Sequence, residues 1–337
     1  MTQRSILVTG GAGYIGSHVV LQLRERGERV VVLDDLSTGF REAVRDAPLI
    51  IGNAGDVALV KKILHEHDVD TVMHFAASIS VPDSVRDPLA YYRNNTVNTR
   101  ALLEACAAQG LTQFVFSSTA AVYGMPATGR AAERDPTAPI NPYGRSKLMS
   151  EWMLRDVATT TAAADNPLRY VALRYFNVAG ADQKLRIGQA LKASFHLVHV
   201  AAEHVSGRRP DIAMFGTDYD TADGTAIRDY LHVDDLARAH LDALAHLRAG
   251  RESTTLNVGY GHGYSVREVL DAVQRHSDRP LVIRTGPRRA GDPPVLVAEA
   301  SRIRAELGWR PQNDDLDQIV RSAIEWEKRL CSEPWGL

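Results

Sequence analysis

Thr9-Gly10-Gly11-Ala12-Gly13-Tyr14-Ile15-Gly16-Ser17 follows the strand-like run Ser5-Ile6-Leu7-Val8 and opens a helical pattern reaching Arg26. Strand, glycine turn and helix in that order form the unit that cradles a dinucleotide. Glycines at positions 10, 13 and 16 permit the tight turn and let backbone amides approach a pyrophosphate. Taken alone, the same spacing also suits an ordinary strand-to-helix turn. Its continuation decides the reading. Arg29-Val30-Val31-Val32-Leu33 makes a second strand that ends at Asp34-Asp35, about twenty residues downstream, where an acid accepts from the adenosine ribose hydroxyls. A carboxylate there repels a 2′-phosphate, so the cofactor expected is NAD.

The alternation continues outward. Leu49 to Ile51 reads as a third strand, Asp56 to Glu66 as a helix, and Thr71 to Phe75 as a fourth strand. Pro88 to Ala108 reads as one long helix, Phe114 to Phe116 as a fifth strand, and Tyr170 to Tyr175 as a sixth. Short β-rich runs alternating with helices imply a doubly wound parallel α/β sheet of the Rossmann type. After Asn177 the pattern loosens. A helix is expected over Leu191 to Val205 and another over Val266 to Arg275, with a basic, Pro-rich loop from Gly286 to Pro294. The expected division is an NAD-binding domain over 1–177 and a smaller α/β substrate-binding region over 178–337. Strands at Ile227 to Val233 and Leu256 to Gly259 are expected to return to the main sheet. Thr159 to Ala164 reads as a fraying helix end.

Composition narrows the partners. The chain has 337 residues and a net charge of -2, which gives no electrostatic case for nucleic acid or an anionic membrane. Cys106 and Cys331 make no disulfide framework and suit a reducing cytoplasm. The run from Met1 to the glycine turn is too short for a signal-peptide core, and no later stretch would span a bilayer. A soluble, cytoplasmic protein is expected.

Asn141-Pro142-Tyr143-Gly144-Arg145-Ser146-Lys147 carries the chemistry. On a helix, Tyr143 and Lys147 share one face. A phenol titrates near pH 10, so bringing it close to neutrality takes roughly 4 kcal/mol of interaction with positive charge. Lys147 and an oxidised nicotinamide ring are two such charges. Ser117-Ser118-Thr119, at the end of the fifth strand, is placed to join them.

In these residues the chain resembles the extended short-chain dehydrogenase/reductase family, and within it the UDP-glucose 4-epimerases. The resemblance runs nearly end to end. It rests on Thr9 to Ser17, Phe116 to Gly124, Asn141 to Lys147, Leu173 to Asn177, Phe215 to Tyr219, Asp223 to Thr225, Arg228 to Val233 and Pro287 to Asp292. It implies interconversion of UDP-galactose and UDP-glucose by C4 oxidation, rotation of the 4-keto sugar and re-reduction, in a homodimer of galactose metabolism. Tyr143 would take the proton of the 4-hydroxyl, Thr119 would hydrogen-bond the 4-oxygen, and Lys147 would bind the nicotinamide ribose and lower the phenol pKa. The implied NAD contacts are Gly10, Gly13, Tyr14, Ile15, Gly16, Asp34, Asn53, Phe75, Ala76, Ala77, Asn94, Ser117, Tyr143, Lys147 and Tyr175. Those implied for the UDP-sugar are Thr119, Tyr143, Asn177, His196, Phe215, Arg228, Arg289 and Asp292.

Some positions depart from the pattern. Ile79 stands where many of these epimerases carry a lysine, Asn53 where an Asp reads the adenine amine, and His196 where an Asn lies near the diphosphate. Leu296, at the position that governs room for a 2-acetamido group, leaves UDP-N-acetylhexosamines open as substrates, and UDP-xylose/UDP-arabinose also fits a hexose pocket. His196, His199 and His204 lack a nearby acid partner, so no metal is expected. Ala120 and Ala121 after Thr119 oppose a dehydratase, which needs carboxylates there. A non-enzymatic NAD-binding regulator is opposed by the presence of Tyr143, Lys147 and Thr119 together.

Overall fold

Ser5–Thr9 lies inside the main sheet, between Arg29–Asp34 and Val69–His74, because every residue in it is apolar or small and both of its faces are covered. The computed structural model describes residues 4–162, 166–191, 194–289 and 292–335. Met1 to Gln3, Ala163 and Ala164 of the fraying run, and Ala290-Gly291 of the basic loop lie outside the described residues. Seven parallel strands run in the order Thr254–Val258, Arg169–Tyr175, Gln113–Thr119, Val69–His74, Ser5–Thr9, Arg29–Asp34, Leu49–Ile51. Strand order reverses between Ser5–Thr9 and Val69–His74, which opens a crevice at the carboxyl ends of those two strands.

The pleat sorts the core into two layers. Ile6, Val8, Val30, Val32, Val171 and Leu173 point to a face covered by the helices Tyr14–Glu25 and Val233–Arg248. Leu7, Val31, Leu33, Val72, Phe114 and Phe116 point to the other, covered by Val57–Glu66, Asn98–Ala108 and Pro142–Thr161. Each fully buried aliphatic or aromatic side chain contributes about 1.5–3 kcal/mol, so this double layer makes the sheet a rigid platform for whatever sits at its edge.

The second half adds smaller sheets. Tyr264–Ser265, Ile227–Arg228, Val295–Ala298 and Arg130–Ala131 form one; Asn177–Ala179 pairs with Tyr230–His232, and Ile212–Phe215 with Ile283–Gly286.

Three expectations are corrected here. The stretch Ile227 to Val233 does not return to the main sheet: Asp229 divides it into two short strands in separate small sheets. The Asp229 carboxylate accepts from the backbone N–H groups of Tyr260, Gly261 and Ala298, which pulls the chain out of a single extended run. The strand near Leu256 does return, as Thr254–Val258. Pro88 to Ala108 is not one α-helix, because Tyr92–Val97 is a π-helical segment between Pro88–Tyr91 and Asn98–Ala108. The helix expected from Leu191 begins only at Leu197, after His196 as its cap.

Candidate active site

The glycine loop fills the crevice floor. A Cβ on Gly10, which sits at φ +72°, would lie 2.5 Å from the Ala76 nitrogen, and one on Gly16 would lie 2.2 Å from the Gly10 oxygen. Only glycine lets the loop, the Tyr14 helix and the Phe75-Ala76 turn close so tightly. Gly13 is different: a Cβ there would meet only the Gly10 oxygen, at 3.3 Å, so this residue faces open space. It caps the helix without any side-chain acceptor, and the first turn holds no acid. Its orphan N–H groups therefore suit a pyrophosphate. Asp34 is buried at the end of its strand and accepts from Ala12 N–H and Leu36 N–H, both at 2.9 Å, one on each oxygen. Burial raises its pKa despite these bonds. Each oxygen keeps a second lone pair for a ribose hydroxyl. The residues present fit NAD.

Other positions expected at the cofactor have distinct local duties. Tyr14 turns its phenol to the Gly180 carbonyl at 2.6 Å, and Ile15 packs on the core. Asn53 spends its amide oxygen on the Gly55 N–H at 2.7 Å, closing its own turn. Phe75 stacks obliquely on His240, and Ala76 and Ala77 are half-buried beside the glycine loop. Asn94 donates to the Ser78 hydroxyl at 2.9 Å, and Ile79 is exposed in that same segment.

The Tyr143 helix begins at Pro142, with Asn141 capping it by accepting from Gly144 N–H at 2.8 Å. Tyr143, Lys147 and Glu151 fall on its buried face. Lys147 donates to the Ser117 carbonyl at 2.8 Å and lies 5.0 Å above the Phe116 ring. Burial pulls its pKa down to about 7, against the opposing effect of the Glu151 carboxylate. The Tyr143 phenol is pushed up to about 12 by burial, a hydrogen bond with Thr119 opposing and the nearby Tyr91 adding to it. Tyr143 is thus protonated at neutral pH until positive charge arrives beside it. Ser117 and Tyr175 join hydroxyl to hydroxyl on the adjoining strand ends.

On the opposite wall, Asn177 is exposed at the start of the Asn177–Ala179 strand. Arg228 is buried and forms an ion pair with Asp292, while donating to the carbonyls of Ile227 and Pro293, both at 2.7 Å. These two residues, each expected at the UDP-sugar, therefore hold one another. Arg288 is tied to Asp218. Arg289 is exposed with its guanidinium 4.3 Å over the Phe215 ring, and among the described residues no carboxylate pairs with it. His196 is held by Gln189, with 2.6 Å between nitrogens, and burial lowers its pKa to about 4. The other two histidines of the set diverge: His204 bonds to the carbonyls of Arg209 and Pro280, and His199, contrary to the expectation that no acid lies near, faces Glu203 at 3.5 Å one turn along its helix. Among the described residues no group of three or more His, Cys, Asp or Glu could hold a metal ion.

The model of the NAD dependent epimerase/dehydratase family matches residues 6–259. This chain belongs to that family. Within it, the chain is 56% identical to the UDP-glucose 4-epimerase of Azospirillum brasilense, over 96% of this chain and 92% of that one. The UDP-glucose 4-epimerase of Brucella ovis, solved in complex with NAD, superposes with a TM-score of 0.92 at 42% identity, over 96% of this chain and 98% of that one. The UDP-Glc/GlcNAc 4-epimerase of Campylobacter jejuni superposes at 0.83 with 47% identity, over 97% and 99% of the two chains.

In this member of the epimerase family, two further buried residues that no sequence motif marks, Asn95 and His74, hold the elements around the crevice. Asn95, fully buried, accepts from Ser78 N–H at 2.8 Å and donates to the Ser78 carbonyl at 2.9 Å and the Ser146 hydroxyl at 3.1 Å. It pins the turn after Val69–His74 to the Tyr143 helix, and it lies in the π segment. His74 bridges Thr9 and Thr99, with contacts of 2.6 and 2.9 Å. Its neutral ring, lowered to about 3 by burial and then by Lys147, puts no competing charge beside the crevice. The usable signal was the position of His74 at a strand end; nothing local distinguishes Asn95 from its neighbour Asn94.

Proposed function

We infer that the chain interconverts UDP-galactose and UDP-glucose by NAD-dependent epimerisation at C4. What carries this reading is the buried Tyr143/Lys147 face of one helix set against the Ser117-Ser118-Thr119 strand end, with Lys147 donating to the Ser117 carbonyl at 2.8 Å, in a chain 56% identical to a UDP-glucose 4-epimerase. NAD, when bound, would supply the reversible hydride acceptor that oxidation and re-reduction at sugar C4 require. Tyr143 takes the proton from the 4-hydroxyl and gives it back, so no net redox change occurs. Thr119 orients the 4-oxygen, and Lys147 holds the nicotinamide ribose. Arg289, unpaired among the described residues, neutralises diphosphate charge, and Phe215 beneath it packs near the uracil. Asn177, His196, Arg228 and Asp292 line the remainder of the sugar-nucleotide site. Anchoring at the uridine diphosphate leaves the hexose free to turn, with binding energy drawn from groups remote from the chemistry.

Residues 1–177 form the NAD-binding domain and 178–337 the UDP-sugar region, with Thr254–Val258 returning to the first. A homodimer is supported by large apolar side chains left exposed on the helices flanking the crevice: Val85, Leu89, Val97, Met149 and Trp152. No helix among the described residues is long and apolar enough to cross a membrane, and a cytoplasmic role in galactose metabolism agrees with the substrate.

A second reading concerns breadth. Leu296 is half-buried and pairs in register with Arg228, and the Campylobacter jejuni relative is a UDP-Glc/GlcNAc enzyme. The deciding assay offers purified protein UDP-galactose without added NAD and separates the products. UDP-glucose formation is expected; UDP-N-acetylgalactosamine run in parallel reports whether Leu296 leaves room for the acetamido group. No turnover of UDP-galactose, even with NAD added, would overturn the assignment.

A further inference from the structure

Glu151 has no part in the chemistry described above, yet it is the third member of the helix face that carries Tyr143 and Lys147. The three residues stand at i, i+4 and i+8, and they meet three consecutive residues of the facing strand end. Tyr143 lies beside Thr119, Lys147 donates to the Ser117 carbonyl, and Glu151 accepts from the Ser118 hydroxyl. The Glu151 carboxylate is buried and gripped on both oxygens by Arg174, Nε at 2.9 Å and Nη2 at 2.6 Å. Arg174 in turn donates to Tyr123 at 3.0 Å, and Tyr123 donates to Asn257 at 2.7 Å. The chain of bonds thus runs from the catalytic helix across two strands of the main sheet.

A buried ion pair is a poor way to gain stability, since desolvation consumes most of the attraction. Its retention directly under a catalytic face calls for another role. We propose that Glu151, locked by Arg174, is a positioning residue for epimerisation: it fixes Ser117-Ser118-Thr119 against the Tyr143/Lys147 face and supplies the negative charge that balances Lys147. The inference rests on the roles given above to Tyr143 and Lys147. Around Lys147 the other elements offer His74, which is neutral, and the Phe116 ring, while Tyr143 stands one turn away on the same helix and the Tyr175 phenol is joined to the Ser117 hydroxyl. Around Glu151 stand Arg174, Tyr123 and Tyr170. Burial opposes the charge on Lys147 and Glu151 supports it. Arg174 stays cationic because its bonds to Glu151 outweigh its own burial.

The test is Glu151→Gln in the holoenzyme, with kcat and KM for UDP-galactose measured across pH. Removing the carboxylate makes Lys147 lose its proton sooner, so the alkaline limb of kcat moves to lower pH. kcat at its optimum falls by about tenfold or more while KM stays within about twofold, as expected when reacting groups shift out of register. A residue that merely supports the fold would lower the melting temperature and leave the limb and saturated kcat in place; that result overturns the proposal. If Glu151→Gln does not fold, Ser118→Ala decides. It removes only the hydroxyl that reaches Glu151, and kcat is expected to fall by about threefold to tenfold with the alkaline limb unmoved; an unchanged kcat overturns the proposal. Wild-type protein inactive on UDP-galactose would sink the parent reading and this inference together, whereas active wild type with indifferent variants sinks this one alone.

Discussion

Tyr143 is a group whose ionisation reports what binds beside it. Burial holds the phenol at about 12 in the chain without cofactor. Ionising it at neutral pH from there takes roughly 7 kcal/mol of added positive potential. Lys147, itself drawn down to about 7 by burial, is not enough alone. On the proposed function, a bound nicotinium ring would add the remaining positive potential and so tie the ionisation of Tyr143 to the oxidised cofactor. Phenolate absorbance of the wild type minus Tyr143→Phe is therefore expected to titrate at far higher pH without NAD than with it; coincident titrations would detach the phenol from the cofactor. Tyr143→Phe is expected to keep NAD and UDP binding and lose about a hundredfold or more in kcat, the usual range for a lost acid–base group. Arg289→Ala is expected to weaken UDP affinity by about tenfold, as for one charge-assisted hydrogen bond, with little change in kcat. Calorimetric titration with UDP checks this, and unaltered affinity would place Arg289 outside the diphosphate site.

Among the elements, the glycine loop is the least forgiving. Gly16→Ala would put a methyl group 2.2 Å from the Gly10 oxygen, so the Tyr14 helix must retreat from the loop. The expected result is protein purified with little or no bound NAD and recovered activity only at high added NAD; full NAD content would show that the loop can yield. This unit was plain in the sequence because its signals are local: a β-rich run, a fixed glycine spacing and an acid at the next strand end. The Tyr143 helix was equally plain, with Asn141 and Pro142 announcing its start. Less of the second half was legible. Ile227 to Val233 has the composition of one strand, and only the distant amides of Tyr260, Gly261 and Ala298 reveal why Asp229 interrupts it. The π segment was hidden for a similar reason. Its extra backbone width turns Asn95 toward Ser78 and Ser146, a requirement that comes from the Tyr143 helix and leaves no periodicity of its own. Glu151 carries no local signal either, because the groups that define it, Arg174 and Ser118, reach it from separate strands of the sheet.

For the molecule as a whole, the exposed apolar side chains on neighbouring helices predict association. Trp152 is 46% exposed and Leu89 76%, on helical runs that pack side by side. Trp152→Glu is expected to shift a sedimenting dimer toward monomer while leaving the NAD content intact; a wild type that sediments as a monomer would refute the pairing. The return of Thr254–Val258 to the main sheet has a different reach. That strand covers the edge of Arg169–Tyr175 through five parallel residue pairs, from Thr254 with Val171 to Val258 with Tyr175. The two halves of the chain are thus nested, and neither is a free-standing module. A ribosome that has released residues 1–177 has made a sheet with a naked edge, open to pairing with any other nascent chain, and this edge is closed only when the strand arrives. Fragment complementation should follow the same geometry: whether the chain is divided at 177 or nicked in the exposed stretch after Ala249 but before Thr254, the sheet edge is closed only when Thr254–Val258, carried by the second piece, docks on Arg169–Tyr175 of the first.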